Sequence, residues 1–498
     1  MTVTATTSAP NVAIVGGGTA GWMAACLMAK AWSDAAITLV ESPDVGIVGV
    51  GEGSTPQLKA LFDGLGIAEA EWMPAADATY KVGIAFHGWG DAGSAYFHPF
   101  AGAVDLHTQP AFHASALARR TGADVPAHPD RFFLNSRLAA AQRAPVASPN
   151  FPFPVGYGYH FDAHKVGEVL RAEAVRRGVR HVRAHVADVE VGTDGDILRL
   201  VFAGGDTLAA DLFVDASGFR GLLLQQTLDV PFRPFAENLF NDRAVVMPTP
   251  RGQTLDAHTS ATALSAGWAW AIPLTARTGN GYVYASSYLS PDAAETELRR
   301  HLNRLDDPTP ARHLTMKVGR VERSWAANCL AIGLAQGFIE PLEATALHLV
   351  QATVEGFIRA YDAGGRSPRD RDGFNARIAR RYEGIRDYIV AHYRLNRRTD
   401  TPYWRDNAGH DRLSDDLKAI MTAWFTGRDV AALVESRDLA GYYAPMSWEV
   451  LFAGYGTFPP ADRLRAAASV ADLAGIDALL DGCLLNFPPH AAALKDPA

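Results

Sequence analysis

The order of apolar and polar positions predicts a mixed α/β protein. Residues 11–15 (NVAIV) are a short apolar run of the kind found in buried strands, and a helical segment (WMAACLMAKAW) and a second strand (AITLVE) follow it. Helical and strand patterns alternate up to about residue 370, and beyond it the pattern is helical and more charged. We therefore expect an α/β (α+β) fold whose C-terminal part is mainly helical.

Residues 16–21 (GGGTAG) match the pattern GxGxxG between the first strand and its helix. In this context Gly16 permits a tight turn, Gly18 lets the backbone approach a pyrophosphate, and Gly21 lets helix and strand pack closely. Glu41 stands twenty residues later, where a carboxylate accepts hydrogen bonds from ribose. The early position of this motif and the absence of a second GxGxxG favour an FAD site over a separate nicotinamide domain.

Two further predicted strands carry candidate site residues. Lys81 stands at the entrance of a strand at residues 79–86, and a solvated strand end would explain it by itself. The strand at residues 267–273 (GWAWAIP) has Trp268 and Trp270 on one face, because side chains alternate along a strand. An ordinary apolar core would explain this pair equally well.

Residues 333–350 (GLAQGFIEPLEATALHLV) run from a glycine-rich loop through Pro341 into a helix that we expect to begin near Glu343. The apolar positions with helical spacing are Leu347, Val350, Val354, Ile358 and Tyr361. The free N–H groups of Thr345 and Ala346 would then form an anion site at the helix N-terminus. A carboxylate such as Glu343 could equally serve only to complement the helix dipole.

Composition narrows the class of function. The chain has 498 residues, 48% hydrophobic and 20% charged, and a formal net charge of −8, which argues against nucleic acid as a partner. Its cysteines (Cys26, Cys329 and Cys483) are far apart, which excludes a CxxC zinc site and suits a reducing cytoplasm. His160 and His164 find no third metal ligand nearby, and we expect no metal site, no signal peptide and no membrane span.

The motifs GGGTAGWMAA, TYKVGI, GWAWAIP and GFIEPLEAT, in this order and spacing, resemble the flavin-dependent tryptophan halogenase family. The likeness runs from about residue 11 to at least Trp404. It implies an FAD-binding, Rossmann-like, monooxygenase-type domain at residues 10–372, with an excursion at about 99–154 that packs toward the substrate side. Residues 373–498 would form the mainly helical substrate-binding and lid region.

The resemblance also assigns roles to individual residues. The FAD-binding positions are Gly16, Gly18, Thr19, Ala20, Gly21, Glu41, Val186, Leu334 and Leu347. The remaining assignments are Lys81 and Glu343 as catalytic residues, Thr345 and Ala346 as the halide-binding pair, and His98, Phe100, Tyr442, Tyr443 and Glu449 as substrate-binding residues.

At two places the chain departs from the family pattern. Ala346 stands where glycine is common, and alanine serves there if the position does not need a positive φ. Ala453 and Gly454 stand where large aromatic residues are expected. This second departure predicts a roomier pocket and weakens the case for free tryptophan as the substrate.

The function that the resemblance implies is an FADH2- and O2-dependent halogenase. It would make hypohalous acid from chloride or bromide at the flavin and halogenate an indole or tryptophan-like aromatic. Reduced FAD would come from a separate NAD(P)H-dependent flavin reductase, and the resemblance is compatible with a homodimer. Two alternatives are a single-component flavin-dependent aromatic monooxygenase (hydroxylase) and a flavin-binding carrier without turnover. Whether Lys81 acts as an ammonium or as a haloamine is open at this point.

Overall fold

The computed structural model describes residues 10–44, 46, 51–90, 93–364, 367–466 and 473–494. Its strands are, in chain order, β1 (Val12–Val15), β2 (Ile37–Glu41), β3 (Glu52–Gly53), β4 (Thr79–Lys81), β5 (Gly83–His87), β6 (Ala95–Pro99), β7 (Gly158–Phe161), β8 (Arg180–Arg183), β9 (Val186–Val191), β10 (Ile197–Phe202), β11 (Thr207–Ala209), β12 (Leu212–Asp215), β13 (Phe232–Pro234), β14 (Arg243–Pro250), β15 (Thr259–Leu264), β16 (Gly267–Pro273), β17 (Arg277–Tyr284), β18 (Arg312–Thr315), β19 (Gly319–Val321), β20 (Trp325–Ala326), β21 (Cys329–Ala331) and β22 (Gly337–Phe338).

The α-helices are α1 (Thr19–Ala31), α2 (Gln57–Leu65), α3 (Glu69–Ala75), α4 (Gln109–Arg120), α5 (Leu134–Ala140), α6 (Ala163–Arg176), α7 (Pro291–His301), α8 (Ala346–Gly364), α9 (Pro368–Arg394), α10 (Pro402–Gly409), α11 (Asp415–Phe425), α12 (Val430–Ser436), α13 (Pro445–Gly454), α14 (Leu473–Leu484) and α15 (His490–Ala493). Among the described residues, no helix combines the length and the apolar character needed to cross a bilayer.

A six-stranded sheet in the order β20-β21-β12-β1-β2-β8 forms the first layer. Strands β21, β12, β1, β2 and β8 run parallel, and helix α1 connects β1 to β2. Every residue of β1 is buried, as expected for a central parallel strand. This arrangement confirms the α/β class that the hydrophobic pattern predicted. The neighbouring strands β8 and β9 belong to two different sheets.

The second large sheet has seven strands in the order β18-β14-β17-β16-β15-β5-β6. All its pairs are antiparallel except β15 and β5, which run parallel. The β3-β7-β4 sheet places Lys81, the last residue of β4, opposite Gly158 in β7. The three-stranded sheet that carries Lys81 and the seven-stranded sheet that carries GWAWAIP (β16) thus bring these residues to the same region.

Helices dominate the chain after β22. Helix α9 runs from Pro368 to Arg394 without a break and so crosses the predicted domain boundary at residue 372, which stays a prediction. In the predicted excursion at 99–154, helix α4 contacts α13 and helix α5 contacts α14. The excursion thus packs against the C-terminal helices.

Candidate functional site

A cavity of about 790 Å³ opens at the carboxyl ends of β1 and β2. All of the predicted FAD-binding residues except Gly21 line it, and these residues are Gly16, Gly18, Thr19, Ala20, Glu41, Val186, Leu334 and Leu347. Gly21 has a packing role instead, because a Cβ built there would lie 1.9 Å from the carbonyl oxygen of Gly16. The carboxyl end of a parallel sheet is the usual place for a nucleotide ligand in α/β proteins.

The residues present fit an FAD molecule. Gly16 has a φ of 122°, and a Cβ there would lie 2.2 Å from the carbonyl oxygen of Ala216, so this turn requires glycine. A Cβ on Gly18 would meet no atom within 4 Å, which leaves its backbone open to the cavity at the N-terminus of α1. Arg171 and Arg183 also line the cavity and add positive charge for a pyrophosphate.

Trp268 and Trp270 form one wall of this cavity, on one face of β16 as the alternation predicted. Their ring centroids lie 6.1 Å apart. The indole Nε1 of Trp268 donates a 2.8 Å hydrogen bond to Glu340, whose same oxygen accepts from Asn241 Nδ2 at 3.0 Å and from the hydroxyl of Tyr393. Burial raises the pKa of Glu340, and these three donors oppose that rise. No sequence pattern pointed to Glu340 as the residue that fixes this wall.

Lys81 lies at the edge of the same cavity and is fully buried. Its Nζ has no hydrogen-bond partner among the described residues and lies 5.3 Å from the ring centre of Phe100. Burial lowers the pKa of Lys81 to about 7, although the negative charge of Glu343 acts in the opposite direction. An unpartnered buried amine on a cavity wall is a strong candidate for ligand contact.

Glu343 is buried between two histidines from distant parts of the chain. Nδ1 of His98 lies 2.9 and 3.1 Å from its two carboxylate oxygens, and Nε2 of His392 lies 3.0 Å from one of them. The hydroxyl of Tyr455 lies 2.9 Å from Nδ1 of His392. Burial by itself would raise the pKa of Glu343, but His98 and His392 together lower it to about 2. His392 carried no local signal in the sequence beyond its place on a helix.

The predicted start of the helix near Glu343 is wrong. Residues Pro341–Glu343 form a 3-10 turn, Ala344 adopts a left-handed conformation with φ 55°, and α8 begins only at Ala346. The positive φ that alanine tolerates poorly therefore falls at Ala344 and not at Ala346. Thr345 and Ala346 both line the large cavity, at the N-terminal end of α8. Of the apolar face predicted for this helix, Leu347, Val350 and Val354 are buried, whereas Ile358 and Tyr361 are only partly buried.

A second cavity of about 310 Å³ is lined by His98, the residue that contacts Glu343. Its lining residues carry no acidic or basic side chain other than the imidazole of His98, and they are His98, Pro99, Ala101, Gln109, Phe133, Ala444, Pro445, Met446, Ser447 and Val450. His98 therefore contacts Glu343 and also lines the second cavity. Lys81, with Phe100 beside it, lines the large cavity, and Glu343 is close enough to act on its charge and contacts His98 of the small cavity.

Three predicted substrate residues lie elsewhere. Tyr443 stacks on Tyr388 with ring centroids 3.5 Å apart, and the ring of Tyr442 packs against Gly384. Glu449 is buried and its carboxylate lies 2.8 Å from Nδ1 of His113 in α4. None of these three side chains lines the second cavity.

The roomier pocket predicted at Ala453 and Gly454 is not observed. Ala453 is buried, and a Cβ on Gly454 would lie 2.3 Å from the ring of Tyr96. Tyr96 in β6 thus occupies the space that smaller residues in α13 leave. The sequence could not show this because Tyr96 stands more than 350 positions earlier in the chain.

Comparison with known proteins gives concordant results. The sequence model of the family described as "Tryptophan halogenase" matches residues 11–470. The chain is 37% identical over 494 residues to the 7-chloro-L-tryptophan 6-halogenase KtzR of Kutzneria sp. (strain 744), covering 92% of each chain. The crystal structure of the tryptophan 6-halogenase SttH from Streptomyces toxytricini superposes with a TM-score of 0.85 at 34% identity, covering 97% of this chain and 99% of that one. BrvH, a flavin-dependent halogenase from Brevundimonas sp., superposes with a TM-score of 0.83 at 32% identity, covering 97% and 98%.

Proposed function

Because this chain belongs to the tryptophan halogenase family, we propose that it uses hypohalous acid, made beside reduced FAD, to halogenate a neutral indole. Flavin-dependent halogenation, and not hydroxylation, is the activity that this family membership supports. The observation that carries the proposed reaction is the position of Lys81 and Glu343. The first lines the large cavity, and the second is held by His98 at the border of the small one.

In this proposal the large cavity holds FAD. The backbone of Gly16 and Gly18 would contact the pyrophosphate at the start of α1, and Glu41 would accept from ribose hydroxyls. Bound in its reduced form, FAD would supply two of the four electrons that O2 takes up, and the halide ion, oxidised to hypohalous acid, would supply the other two. Thr345 and Ala346 would hold that halide through their backbone N–H groups, since the first turn of a helix has free donors.

The residues between the cavities would direct the oxidant. Trp268 and Trp270 keep an aromatic substrate away from the flavin side, and Lys81 donates hydrogen bonds to the oxidant. Glu343 takes the proton that the ring loses once the halogen is attached. A ring that carries both a proton and a new halogen on one carbon is a strong acid, so a carboxylate with a pKa of about 2 suffices. A general base of this kind contributes about 10²–10⁴ in rate.

The small cavity favours a neutral aromatic over a free amino acid. Its walls offer amide, hydroxyl and apolar groups but no acidic or strongly basic side chain among the residues described. Glu449, an acidic residue among the predicted substrate-binding positions, is paired with His113 instead. A charged amino-acid end would enter this cavity without compensating charges, which is unfavourable. The homodimer, the cytoplasmic location and the use of chloride or bromide stay predictions.

The test is a product assay with the purified protein, FAD, NADH and a flavin reductase, in NaCl or NaBr, read by isotope pattern in mass spectrometry. Indole and tryptophan are supplied separately. We expect halide-dependent monohalogenated product that requires the reductase, with indole converted faster than tryptophan. Lys81→Ala and Glu343→Gln should each suppress product while FAD binding persists. Lys165→Ala is the matched control, because Lys165 pairs with Asp77 outside both cavities. A hydroxylated product, or product formed without halide, would contradict the proposal.

A further inference from the structure

Thr259, at the start of β15, is buried and lines the large cavity, and none of the motifs pointed to it. It belongs to a chain of buried hydrogen bonds that begins at the carbonyl oxygen of Pro273. The hydroxyl of Thr79 donates to that oxygen at 2.7 Å, and Nδ1 of His160 lies 3.0 Å from the same hydroxyl oxygen. Nε2 of His160 lies 2.9 Å from the hydroxyl oxygen of Thr259.

The direction of these hydrogen bonds follows from counting protons. A carbonyl oxygen only accepts, so the single hydroxyl proton of Thr79 is used on Pro273, and Nδ1 of His160 must donate to Thr79. Burial, together with the charge of Lys81, lowers the pKa of His160 well below its ordinary value, so the ring is neutral. A neutral imidazole with its proton on Nδ1 has an accepting Nε2, and the Thr259 hydroxyl donates to it. The single hydroxyl proton of Thr259 is therefore used on His160, and toward the cavity its oxygen can only accept a hydrogen bond.

This fixed acceptor adjoins Lys81 across Gly53. A Cβ built on Gly53 would lie 3.1 Å from Nζ of Lys81 and 3.5 Å from Oγ1 of Thr259. Both atoms thus border the space beside Gly53, which has no side chain to fill it. The Nζ of Lys81 has no hydrogen-bond partner among the residues that the structure describes, so this space joins an unused donor to a fixed acceptor.

We propose that Lys81, Thr259 and Gly53 form the subsite that holds the oxygen of the hypohalous acid. The oxygen accepts from Nζ of Lys81, and its own proton is donated to Oγ1 of Thr259. His160 is a positioning residue, because it acts only by fixing the direction of the Thr259 hydroxyl. The arrangement leaves the halogen atom free and assigns Lys81 the role of a hydrogen-bond donor. This inference rests on the proposed function, since it takes hypohalous acid as the ligand.

The first experiment needs neither FAD nor turnover. The sequence has seven lysines, so ¹³Cε-lysine NMR of the FAD-free protein can follow Lys81 against pH, with Lys81→Arg used to assign its signal. We expect a water molecule to occupy the place of the ligand oxygen, between Lys81 and Thr259, in this form of the protein. Thr259→Val removes the acceptor and should lower the pKa of Lys81 by about one unit, because an acceptor stabilises the ammonium form.

Two variants serve as controls in this titration. Thr259→Ser keeps the hydroxyl and should titrate like the wild type. Thr262→Val changes a threonine on the same strand that does not line the cavity, and it should also leave the pKa of Lys81 unchanged.

His160→Phe should lower the pKa of Lys81 in the wild-type background. It should not lower that pKa further in Thr259→Val, because both substitutions act through one hydroxyl. Glu343 and His160 are the charged and titratable groups that act on Lys81, and both are unchanged in the variants of Thr259 and Thr262.

The second experiment measures where the oxidant goes. With reductase, bromide and indole, Thr259→Val should form about tenfold less bromoindole per reduced flavin consumed, the usual effect of losing one hydrogen bond to a reacting group. Free hypobromous acid, trapped by monochlorodimedone, should rise correspondingly, while FAD affinity is unchanged. An unchanged Lys81 titration, or an unchanged division between bromoindole and free oxidant, overturns the subsite. If the wild type makes no halide-dependent product, the proposed function fails, and the NMR titration still decides whether Thr259 is the acceptor for Lys81.

Discussion

Replacing Lys81 by methionine should stabilise the folded protein while it abolishes halogenation. Lys81 is fully buried, and its Nζ has no hydrogen-bond partner among the described residues. Its pKa falls from the ordinary value of 10.5 to about 7, chiefly through burial and net of the favourable field of Glu343. At about 1.4 kcal/mol per pKa unit, holding the ammonium form in this place costs roughly 5 kcal/mol. At pH 7, where the group is half protonated in the folded protein, the cost is still about 4 kcal/mol.

The sign of the pH dependence follows from the same pKa. Between pH 7 and 10.5 the unfolded chain binds the proton of Lys81 and the folded protein does not, so wild-type stability rises with pH. Methionine of similar length carries no proton, so the variant lacks this contribution. Its advantage should therefore shrink from about 4 kcal/mol at pH 7 to about 1 kcal/mol near pH 9.5.

Differential scanning calorimetry of the FAD-free protein measures this difference. A chain of 498 residues has an unfolding entropy of about 1 kcal/mol/K, so the melting temperature of Lys81→Met should be about 4 °C higher at pH 7. Lys165→Met is the control: its ammonium pairs with Asp77 at 2.7 Å near the surface, and its loss should not raise the melting temperature. The claim that Lys81 is held against its desolvation cost is refuted if Lys81→Met is no more stable than wild type at pH 7. It is also refuted if the stability difference between variant and wild type is the same at pH 7 and pH 9.5.

Three further predictions concern the neighbouring residues. His392→Phe removes one of the donors that lower the pKa of Glu343, so burial should raise that pKa, and product formation should be lost at a higher pH than in the wild type on acidification. Identical acid limbs for variant and wild type in the pH–rate profile would count against this role of His392. Ala346→Gly should leave the KM for bromide unchanged within about twofold, because the positive φ falls at Ala344 and any residue offers the same N–H at position 346; a tenfold tighter KM would show that alanine impairs the halide site. Glu449→Gln should lower the melting temperature by about 1–3 °C, because it weakens the interaction of the buried Glu449 with the partly exposed His113. It should leave the KM for indole unchanged, whereas a raised KM for indole would place Glu449 in the substrate site.

The sequence predicted well wherever the chemistry depends on consecutive residues. GxGxxG after a buried strand predicted the turn, because only glycine suits the φ of Gly16 and the contact of Gly21 with the carbonyl oxygen of Gly16. Alternation along GWAWAIP predicted that Trp268 and Trp270 share a face, and both line the large cavity. The family resemblance pointed to Lys81 and Glu343, which no local pattern would have separated from a strand end and a helix cap.

Prediction failed where the backbone departs from a regular period. The pattern of apolar residues predicted too early a start for α8, because hydrophobic spacing does not reveal that Ala344 adopts a left-handed conformation. The space expected at Gly454 is filled by Tyr96, which belongs to a strand far away in the sequence. Neither outcome has a local signal in the sequence, because each depends on tertiary contacts between the segment and distant parts of the chain.

By itself, the sequence determined the parallel α/β sheet, the nucleotide turn and the family, because these follow from short-range backbone geometry and from motifs of adjacent residues. Only the tertiary structure decided the chemical state of the site. His98 and His392 stand 245 and 49 positions from Glu343, and their contact with it holds a carboxylate ionised where burial would neutralise it. Lys81 is buried without a hydrogen-bond partner among the described residues, and this burial lowers its pKa toward neutrality. Desolvation and charge pairing depend on which distant atoms surround a group, and that is settled only when the chain folds.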